Sequence, residues 1–171
     1  MLDQVRQQPV VVGVDGSPGS KAALRWALRL AGRSGADVEA VSVWKPQPAS
    51  SYGAEWAAAV MATGDDLAAD TERMLLDTLV EVARRYGPSV PIRPRVLRGR
   101  PADELLRAAR EAQLLVLGGP AHGTVAGLLL GSVSHRCVQR ATCPVLVIPA
   151  EAEAGPSRYG RQPGTVTAPW A

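Results

Sequence analysis

The sequence predicts an α/β fold: a single doubly wound domain in which four helices cover a five-stranded parallel sheet. Five apolar runs alternate along the chain with four segments of helical periodicity. Strict alternation of this kind favours parallel strands joined by right-handed crossovers. The first, fourth and fifth runs are almost continuous Val, Leu and Ile, which is typical of strands covered on both faces. The length of 171 residues suits one domain with its own core.

The predicted strands are the apolar runs of the chain. The second and third alternate more regularly with polar residues, so we expect them nearer an edge of the sheet. Four arginines in and just after the third run suit a solvated edge strand that resists aggregation; they are Arg93, Arg95, Arg98 and Arg100. The strands are predicted at Val10–Val14, Val38–Trp44, Val90–Leu97, Leu114–Leu117 and Val145–Ile148.

The first helix is predicted to begin at Pro18, where a missing N–H costs no hydrogen bond, with Ser17 as its N-cap. Gly32 and Gly35 are candidates for its end. Apolar residues recur at helical spacing and predict one face packed on the sheet. That face is predicted to hold Ala22, Ala23, Trp26, Ala27, Leu30 and Ala31.

The second helix is predicted from about Asp65 to Tyr86, with Gly87-Pro88 ending it. Its buried stripe is predicted to be Leu67, Met74, Leu75, Leu79, Val82 and Tyr86. The long connection before it, residues 45–64, is expected to contain a short helical piece around Glu55–Met61.

The third helix is predicted to begin at Pro101, because Asp103 and Glu104 suit the positive end of a helix dipole. The fourth is predicted to begin near Ser132. The inward-facing residues are predicted to be Ala102, Leu105, Leu106 and Ala109 in the third helix, and Val133, Cys137, Val138 and Ala141 in the fourth.

Composition restricts the classes of partner. We expect a polar leader at residues 1–8, a folded domain at 9–149 and a disordered Pro- and Gly-rich tail at 150–171. Net charge is +3 with both signs interleaved, so no nucleic-acid partner is expected. No apolar run approaches membrane-spanning length and no signal sequence is evident, so we expect a cytoplasmic protein without a membrane partner. Cys137 and Cys143 match no zinc spacing and suit buried small hydrophobes.

Asp15 lies at the predicted tip of the first strand, just before the helix start at Ser17. In an open parallel sheet, ligands bind beyond the C-terminal strand ends where strand order reverses, here between the first and fourth strands. The carboxylate suits two roles: an acidic residue beside a helix N-terminus, or a contact to a ribose hydroxyl or a ligand-bound Mg²⁺. It would repel a bare pyrophosphate, and GxGxxG is absent, which argues against a dinucleotide site.

Gly131 and Ser132 stand at the predicted start of the fourth helix. Unused backbone N–H groups, the helix dipole and the hydroxyls of Ser132 and Ser134 together favour phosphate. N-capping by one of these serines would explain the same pattern. His122 in the preceding loop and His135 in the first helical turn suit either solvent exposure or a ligand contact, and neither completes a Ser/His/Asp arrangement.

Three segments, VVGVDGS, RGRPADELL and GLLLGSVSHRCVQRATCPVLVIP, resemble the universal stress protein family over roughly residues 9–149. The resemblance implies strand order 3-2-1-4-5, an adenine-nucleotide alpha-hydrolase-like architecture and a role in stress response. Many members bind ATP through Gly, two residues, Gly, nine residues, Gly and Ser or Thr. The nucleotide-binding residues so implied are Val14, Asp15, Val43, Leu117, Gly118, Ala121, Gly131, Ser132, Val133 and Ser134, with Asp15 also meeting Mg²⁺ that accompanies the nucleotide.

Ala121 departs from that glycine pattern, because it replaces the glycine between Gly118 and the Gly131-Ser132 pair. If the glycine is needed for positive φ, alanine costs roughly 1–2 kcal/mol. If it lets the backbone approach phosphate, a methyl group blocks the approach. Pro120 also removes a backbone donor from the same loop.

Two functions stay open from the sequence. The first is a regulatory protein that binds ATP or a related adenine nucleotide, with slow hydrolysis at most. The second is a dimeric interaction module that has lost nucleotide binding. A Walker-type NTPase is disfavoured because no Lys precedes Ser132, and a receiver domain because the third strand ends without an acid. The resemblance implies a homodimer through the last strand, Val145–Ile148, which would otherwise be a bare apolar edge.

Overall fold

The computed structural model describes residues 8–45, 64–86, 90–120 and 130–150. Its strands are β1 (Val10–Gly13), β2 (Val38–Trp44), β3 (Ile92–Arg98), β4 (Leu114–Gly118) and β5 (Val145–Ile148). Its helices are α1 (Pro18–Ser34), α2 (Gly64–Tyr86), α3 (Pro101–Ala108) and α4 (Ser132–Arg140), and a 3₁₀ turn at Ala109–Glu111 continues α3. All strand pairs are parallel and the order is β3-β2-β1-β4-β5. The predicted fold class and strand order are confirmed.

Strand ends differ from the prediction by one or two residues. β1 stops at Gly13 instead of Val14, because the chain turns at Gly16, whose φ is 78°. The Val14 N–H nevertheless donates to Val41 O at 2.9 Å and continues the β1–β2 pairing. β3 begins at Ile92 instead of Val90, and β4 extends one residue further than predicted, to Gly118.

Two apolar layers enclose the sheet. Alternate residues of β1 point to opposite layers: Val10 and Val12 pack with α1 and α2, whereas Val11 packs with α3 and α4. On the first side, the buried stripe of α2 includes Leu75, Leu79 and Val82, as predicted. Because helices cover both faces of β1 and β4, the ends of these central strands form the natural floor of a ligand site.

The predicted faces of two helices need correction. Trp26 is 39% exposed, with the Arg29 guanidinium 5.7 Å from its ring, and Leu24 and Leu28 are buried instead. The alanine stripe of α1 has Trp26 on one side and Leu24 and Leu28 on the other, and the leucine side faces the sheet. Val138 of α4 is also 48% exposed, because the short helix turns Ser134 and Cys137 inward.

The edge strand β3 is bordered by ion pairs. Arg93 pairs with Asp37 and Arg95 pairs with Glu39 across to β2. These pairs lie on the sheet face that α3 leaves partly open. The predicted role of the arginines as surface charges of an edge strand agrees with this arrangement.

Several predictions fall outside the described residues: the helical piece at Glu55–Met61, the leader apart from Gln8, the tail beyond Ala150, and His122. Within the described residues, no helix combines the length and apolar character needed to cross a bilayer.

Candidate functional site

A cavity of about 300 Å³ opens at the C-terminal ends of β1, β2 and β4. Its floor includes Val14, Val41, Val43 and Leu117, and all four helices contribute to its walls. The cavity is therefore at the place where an open parallel sheet reverses its strand order.

One side of the cavity, next to α1 and α2, is rich in hydroxyl groups. Ser17 is the N-cap of α1, and its Oγ accepts from the Ser20 N–H at 3.2 Å. The buried Ser42 donates from Oγ to Val14 O at 2.5 Å. Thr71 of α2 also lines this side and donates to Leu67 O at 2.7 Å. The Ser20 Oγ donates to Ser17 O at 3.0 Å, so each of these four hydroxyls makes a local hydrogen bond, and together they give the wall a polar character.

Asp15 projects from the β1–α1 turn into this polar side. The Ser17 N–H donates to Asp15 Oδ1 at 3.0 Å. Partial burial acts to raise the pKa of Asp15, but hydrogen bonds from Ser17 and Ser20 outweigh it and hold the pKa below its usual 3.8. The carboxylate is therefore ionised at neutral pH and can accept hydrogen bonds from a ligand's hydroxyl groups.

The opposite side of the cavity, next to α3, is apolar. Val41, Val43, Leu105 and Leu117 belong to the core layer beneath α3 and α4, and they reach the cavity from below. Pro101, the first residue of α3, closes the rim. The cavity wall is therefore apolar next to α3 and rich in hydroxyl groups next to Asp15.

The start of α4 lies beside the cavity. The first helical hydrogen bond of α4 is the His135 N–H to Gly131 O, at 2.8 Å, so the N–H groups of Ser132, Val133 and Ser134 have no acceptor within the helix. Gly131 is the N-cap residue and no side chain caps the helix, which contradicts N-capping by a serine. Ser134 instead donates from Oγ to Gly118 O at 3.2 Å and ties α4 to the β4 tip.

The β4 tip packs directly against the start of α1. A Cβ placed on Gly118 would lie 2.3 Å from the Gly19 carbonyl carbon and 2.5 Å from Ser20 N. A Cβ placed on Gly19 would lie 2.2 Å from Gly119 O. The Gly119 N–H donates to Ile148 O at 2.7 Å and joins the same turn to β5. Only glycines permit this approach of backbone to backbone.

The structure brings most of the predicted site residues together. Those that line the cavity are Val14, Asp15, Val43, Leu117, Gly118, Val133 and Ser134. Gly131 and Ser132 are exposed at the first turn of α4 and are not part of the cavity wall. Ala121 lies outside the described residues.

Sequence reasoning missed other residues of the wall. Ser42 could have been found from its place next to Val43 at the end of β2. No signal in the sequence points to Thr71 and Met74, because their place in the wall depends on how α2 packs across the sheet. Met74 also packs against Gly16, where an added Cβ would lie 3.1 Å from its Sδ.

Within the described ranges, no group of three or more His, Cys, Asp or Glu side chains is placed to hold a metal ion. Asp15 alone therefore does not form a metal site, and any Mg²⁺ here would have to come with a ligand. His135 is exposed, and its Nε2 lies 3.4 Å from Gln139 Nε2 instead of facing the cavity.

Comparison with known proteins gives a consistent family. The family model for universal stress proteins matches residues 7–149. A universal stress protein of Mycolicibacterium smegmatis is 39% identical over 142 residues, which are 82% of this chain and 45% of that protein. One of Mycobacterium tuberculosis is 36% identical over 148 residues, 86% of this chain and 47% of that protein. The chain thus spans about half the length of the curated relatives it matches.

Solved structures agree with these matches. A universal stress protein from Lactobacillus plantarum shares the fold with a TM-score of 0.66 at 23% identity, covering 85% of this chain and 99% of that one. A universal stress protein solved in complex with cAMP is 30% identical with a TM-score of 0.61, covering 84% of this chain and 97% of that one. Together with the match over residues 7–149, these likenesses establish that the chain belongs to the universal stress protein family.

Proposed function

We propose that this chain is a cytoplasmic regulatory protein of the stress response that binds ATP or a related adenine nucleotide in the cavity above β1, β2 and β4. The observation that supports this most is the two-sided wall of the cavity, apolar next to α3 and hydroxyl-rich next to Asp15. The relative that contains cAMP is aligned over almost its whole length, which supports an adenine ligand at the corresponding place.

Each part of the cavity has a proposed role. The adenine ring packs between Val43 and Leu105 on the apolar side, and Asp15 accepts hydrogen bonds from the ribose hydroxyls. The backbone N–H groups at the start of α4 hold phosphate oxygen, with Gly131 and Ser132 completing the contact. Val14, Leu117, Gly118, Val133 and Ser134 shape the remaining wall, and the family resemblance adds Ala121 to the proposed nucleotide-binding residues. A Mg²⁺ carried by the nucleotide would meet Asp15.

We expect a binding protein with slow hydrolysis at most. Among the described wall residues, Asp15 is the sole titratable group within reach of a ligand, and its low pKa makes it a weak base. No residue is therefore proposed as catalytic. A change of shape or of partner on binding is the expected output.

Isothermal titration of the purified chain with Mg-ATP, AMP and cAMP tests the proposal. We expect saturable binding of at least one of them, and tighter binding by Ala121→Gly, because glycine restores the glycine pattern of the nucleotide-binding proteins that the sequence resembles. Ser132→Gly is a matched variant at the helix start, where loss of a hydroxyl should weaken binding. If wild type and Ala121→Gly bind none of the three, the second function holds: an interaction module without a nucleotide.

We propose also that two copies pair through β5. In β5 the carbonyl groups of Pro144 and Ile148 accept from β4, so the intervening Val145 and Val147 point their N–H and C=O groups to the free edge. The side chains of Val145, Leu146 and Val147 are half-buried in the single chain. An unpaired apolar edge of this kind is stabilised by pairing with its twin.

A further inference from the structure

The thioether of Met74 is the one sulfur among the described residues of the cavity wall. Its neighbours Leu75 and Leu79 on α2 fill the core layer, but Met74 is only partly buried and lines the cavity. The sulfur therefore belongs to the wall of a cavity and not to the closed core. In such a place a methionine sulfur can meet small molecules from the solvent.

Gly16 lies directly against this sulfur. A Cβ placed on Gly16 would lie 3.1 Å from Met74 Sδ and 3.2 Å from Met74 Cγ. The φ of Gly16 is 78°, so its conformation favours glycine, and the methionine leaves little room for a side chain. Asp15 and Ser17, on either side of Gly16, are both part of the cavity wall. Met74 therefore supports, from α2, the turn that holds the charged group of the cavity.

Among the described residues, the sulfur accepts only a weak hydrogen bond. Thr78 Oγ1 is 3.8 Å from Met74 Sδ but 2.8 Å from Met74 O. Because a hydroxyl has one proton, the shorter bond to the carbonyl leaves the sulfur with a weak contact at most. A lone pair of Sδ is therefore available to react with an electrophilic oxygen.

We propose that Met74 is a modification site, at which a hydroperoxide oxidises the thioether to a sulfoxide and thereby weakens binding in the cavity. In this step a lone pair of Sδ attacks the terminal oxygen of the peroxide, the O–O bond breaks and an S–O bond forms. The sulfur loses two electrons and the peroxide gains them. The leaving hydroxide or alkoxide takes the proton of the transferred oxygen and departs as water or an alcohol.

The added oxygen changes the cavity wall beside Asp15. Gly16 leaves little room on its own side of the sulfur, so the oxygen projects into the cavity or displaces the β1–α1 turn. A sulfoxide is polar, so an apolar contact of the wall is also lost. The effect on binding rests on the proposed function, since it takes the cavity to hold an adenine nucleotide. Affinity then falls because the ligand loses space or loses the position of Asp15.

The first test is the rate of oxidation, which needs no ligand. The full chain is treated with hydrogen peroxide, and the sulfoxide at Met74 is followed by mass spectrometry of its peptides, in folded protein and in protein unfolded in urea. We expect folded Met74 to react within about tenfold of the unfolded rate, since its sulfur is open to the cavity. A greater slowing in the folded protein would show that the sulfur is closed to peroxide and would overturn the inference.

The second test is the effect on binding. Peroxide-treated protein is reduced with dithiothreitol, which leaves methionine sulfoxide in place, and is titrated with Mg-ATP, AMP and cAMP. We expect the affinity of the wild type to fall by at least about fivefold. Met74→Leu keeps a similar volume without the sulfur, so treatment should leave its affinity at its own untreated value. Met61→Leu is the matched control, since it keeps Met74 and should lose affinity as the wild type does.

The outcomes separate this inference from the proposed function. If Met74 is oxidised but treated and untreated wild type bind equally tightly, the adenine site stands and its control by Met74 falls. An equal loss of affinity in Met74→Leu and wild type would assign the effect to another residue and contradict the inference. If the untreated chain binds none of the three nucleotides, the proposed function and the effect on binding fall together, while the oxidation rate still decides whether Met74 is a modification site.

Discussion

Gly118 and Gly131 both belong to the glycine pattern suggested by the sequence, but their surroundings in the structure differ. Gly118 touches the backbone of Gly19 and Ser20, so its missing side chain is what allows α1 to start against the β4 tip. Gly131 has open space around its Cβ position and an ordinary φ of −55°. The lack of a side chain is therefore needed for packing at Gly118 but not at Gly131.

Gly118→Ala should lower the free energy of unfolding by about 2–3 kcal/mol, because backbone atoms at 2.3–2.6 Å cannot retreat from a methyl group. Gly131→Ala should change it by less than about 0.5 kcal/mol. Urea denaturation of both variants gives the comparison. Equal stability of Gly118→Ala and wild type would show that the contact at the β4 tip is not as tight as described.

Single residues also show where sequence reasoning succeeds. Asp15 could be placed at the cavity from sequence alone, since a strand tip followed by a capped helix fixes its position within a few ångströms. The hydrogen bonds that keep it ionised could not, because they depend on the turn geometry that brings the Ser17 N–H to 3.0 Å from its carboxylate.

The two edge strands of the sheet are built differently. In β3, Pro91 O accepts from the Val38 N–H and the Gly99 N–H donates to Trp44 O, so the even-numbered residues between them point their backbone groups outward. Pro94 is one of these, and it removes an outward donor without weakening the pairing with β2. β5 has no proline between Val145 and Ile148. Pairing through β5 is therefore favoured over pairing through β3.

Val147→Pro should convert the expected dimer to a monomer, since it removes an outward N–H from β5 as Pro94 does in β3. The matched variant is Val147→Ala, which keeps the N–H and should still dimerise. Sedimentation at micromolar concentrations measures both. A wild-type chain that sediments as a monomer would contradict pairing through β5.

Helices show the limit of periodicity as a signal. The start of α1 at Pro18 was correctly predicted because the N-cap and proline act locally. The face was partly wrong: Trp26 was predicted inward and lies outward, because apolar residues flank the alanines on both sides and only the packed sheet decides between them. Thr71 and Met74 of α2 illustrate the same limit at the cavity.

For the molecule as a whole, the strand order was predictable and the cavity wall only in part. Five of the predicted residues meet in the cavity because parallel strands end at one edge of the sheet, and Val133 and Ser134 join them from α4. The rest of the wall comes from further residues of β1 and β2 and from α1, α2 and α3, and the positions of these helices depend on which side chains fill the two core layers.

Global stability should depend on alkaline pH through Cys137. Burial, with smaller contributions from Asp103 and Cys143, raises the pKa of its thiol from 9.0 to about 11. Both the folded and the unfolded state hold this proton below pH 9, so its contribution is constant there. Above pH 9 the unfolded chain loses the proton first, and the free energy of unfolding should fall by up to about 1.4 kcal/mol per pH unit until about pH 11.

Cys137→Ala isolates this effect from other groups that titrate at high pH. We expect the variant to be less stable than wild type at pH 8 and the difference to shrink as the pH approaches 11. Denaturation curves at several pH values measure the difference. A gap that stays constant across this range would show that the thiol does not carry the pH dependence.

The hydrogen bond from Gly119 to Ile148 has a consequence for communication between subunits. It connects the backbone next to the cavity to the strand proposed to face the second subunit, with no side chain in between. If a bound molecule displaces this turn, the displacement also changes the free energy of pairing at the edge of β5. Thermodynamic reciprocity then applies to the two equilibria. If the small molecule changes the association constant of two chains by some factor, association of the chains must change the affinity for the small molecule by the same factor.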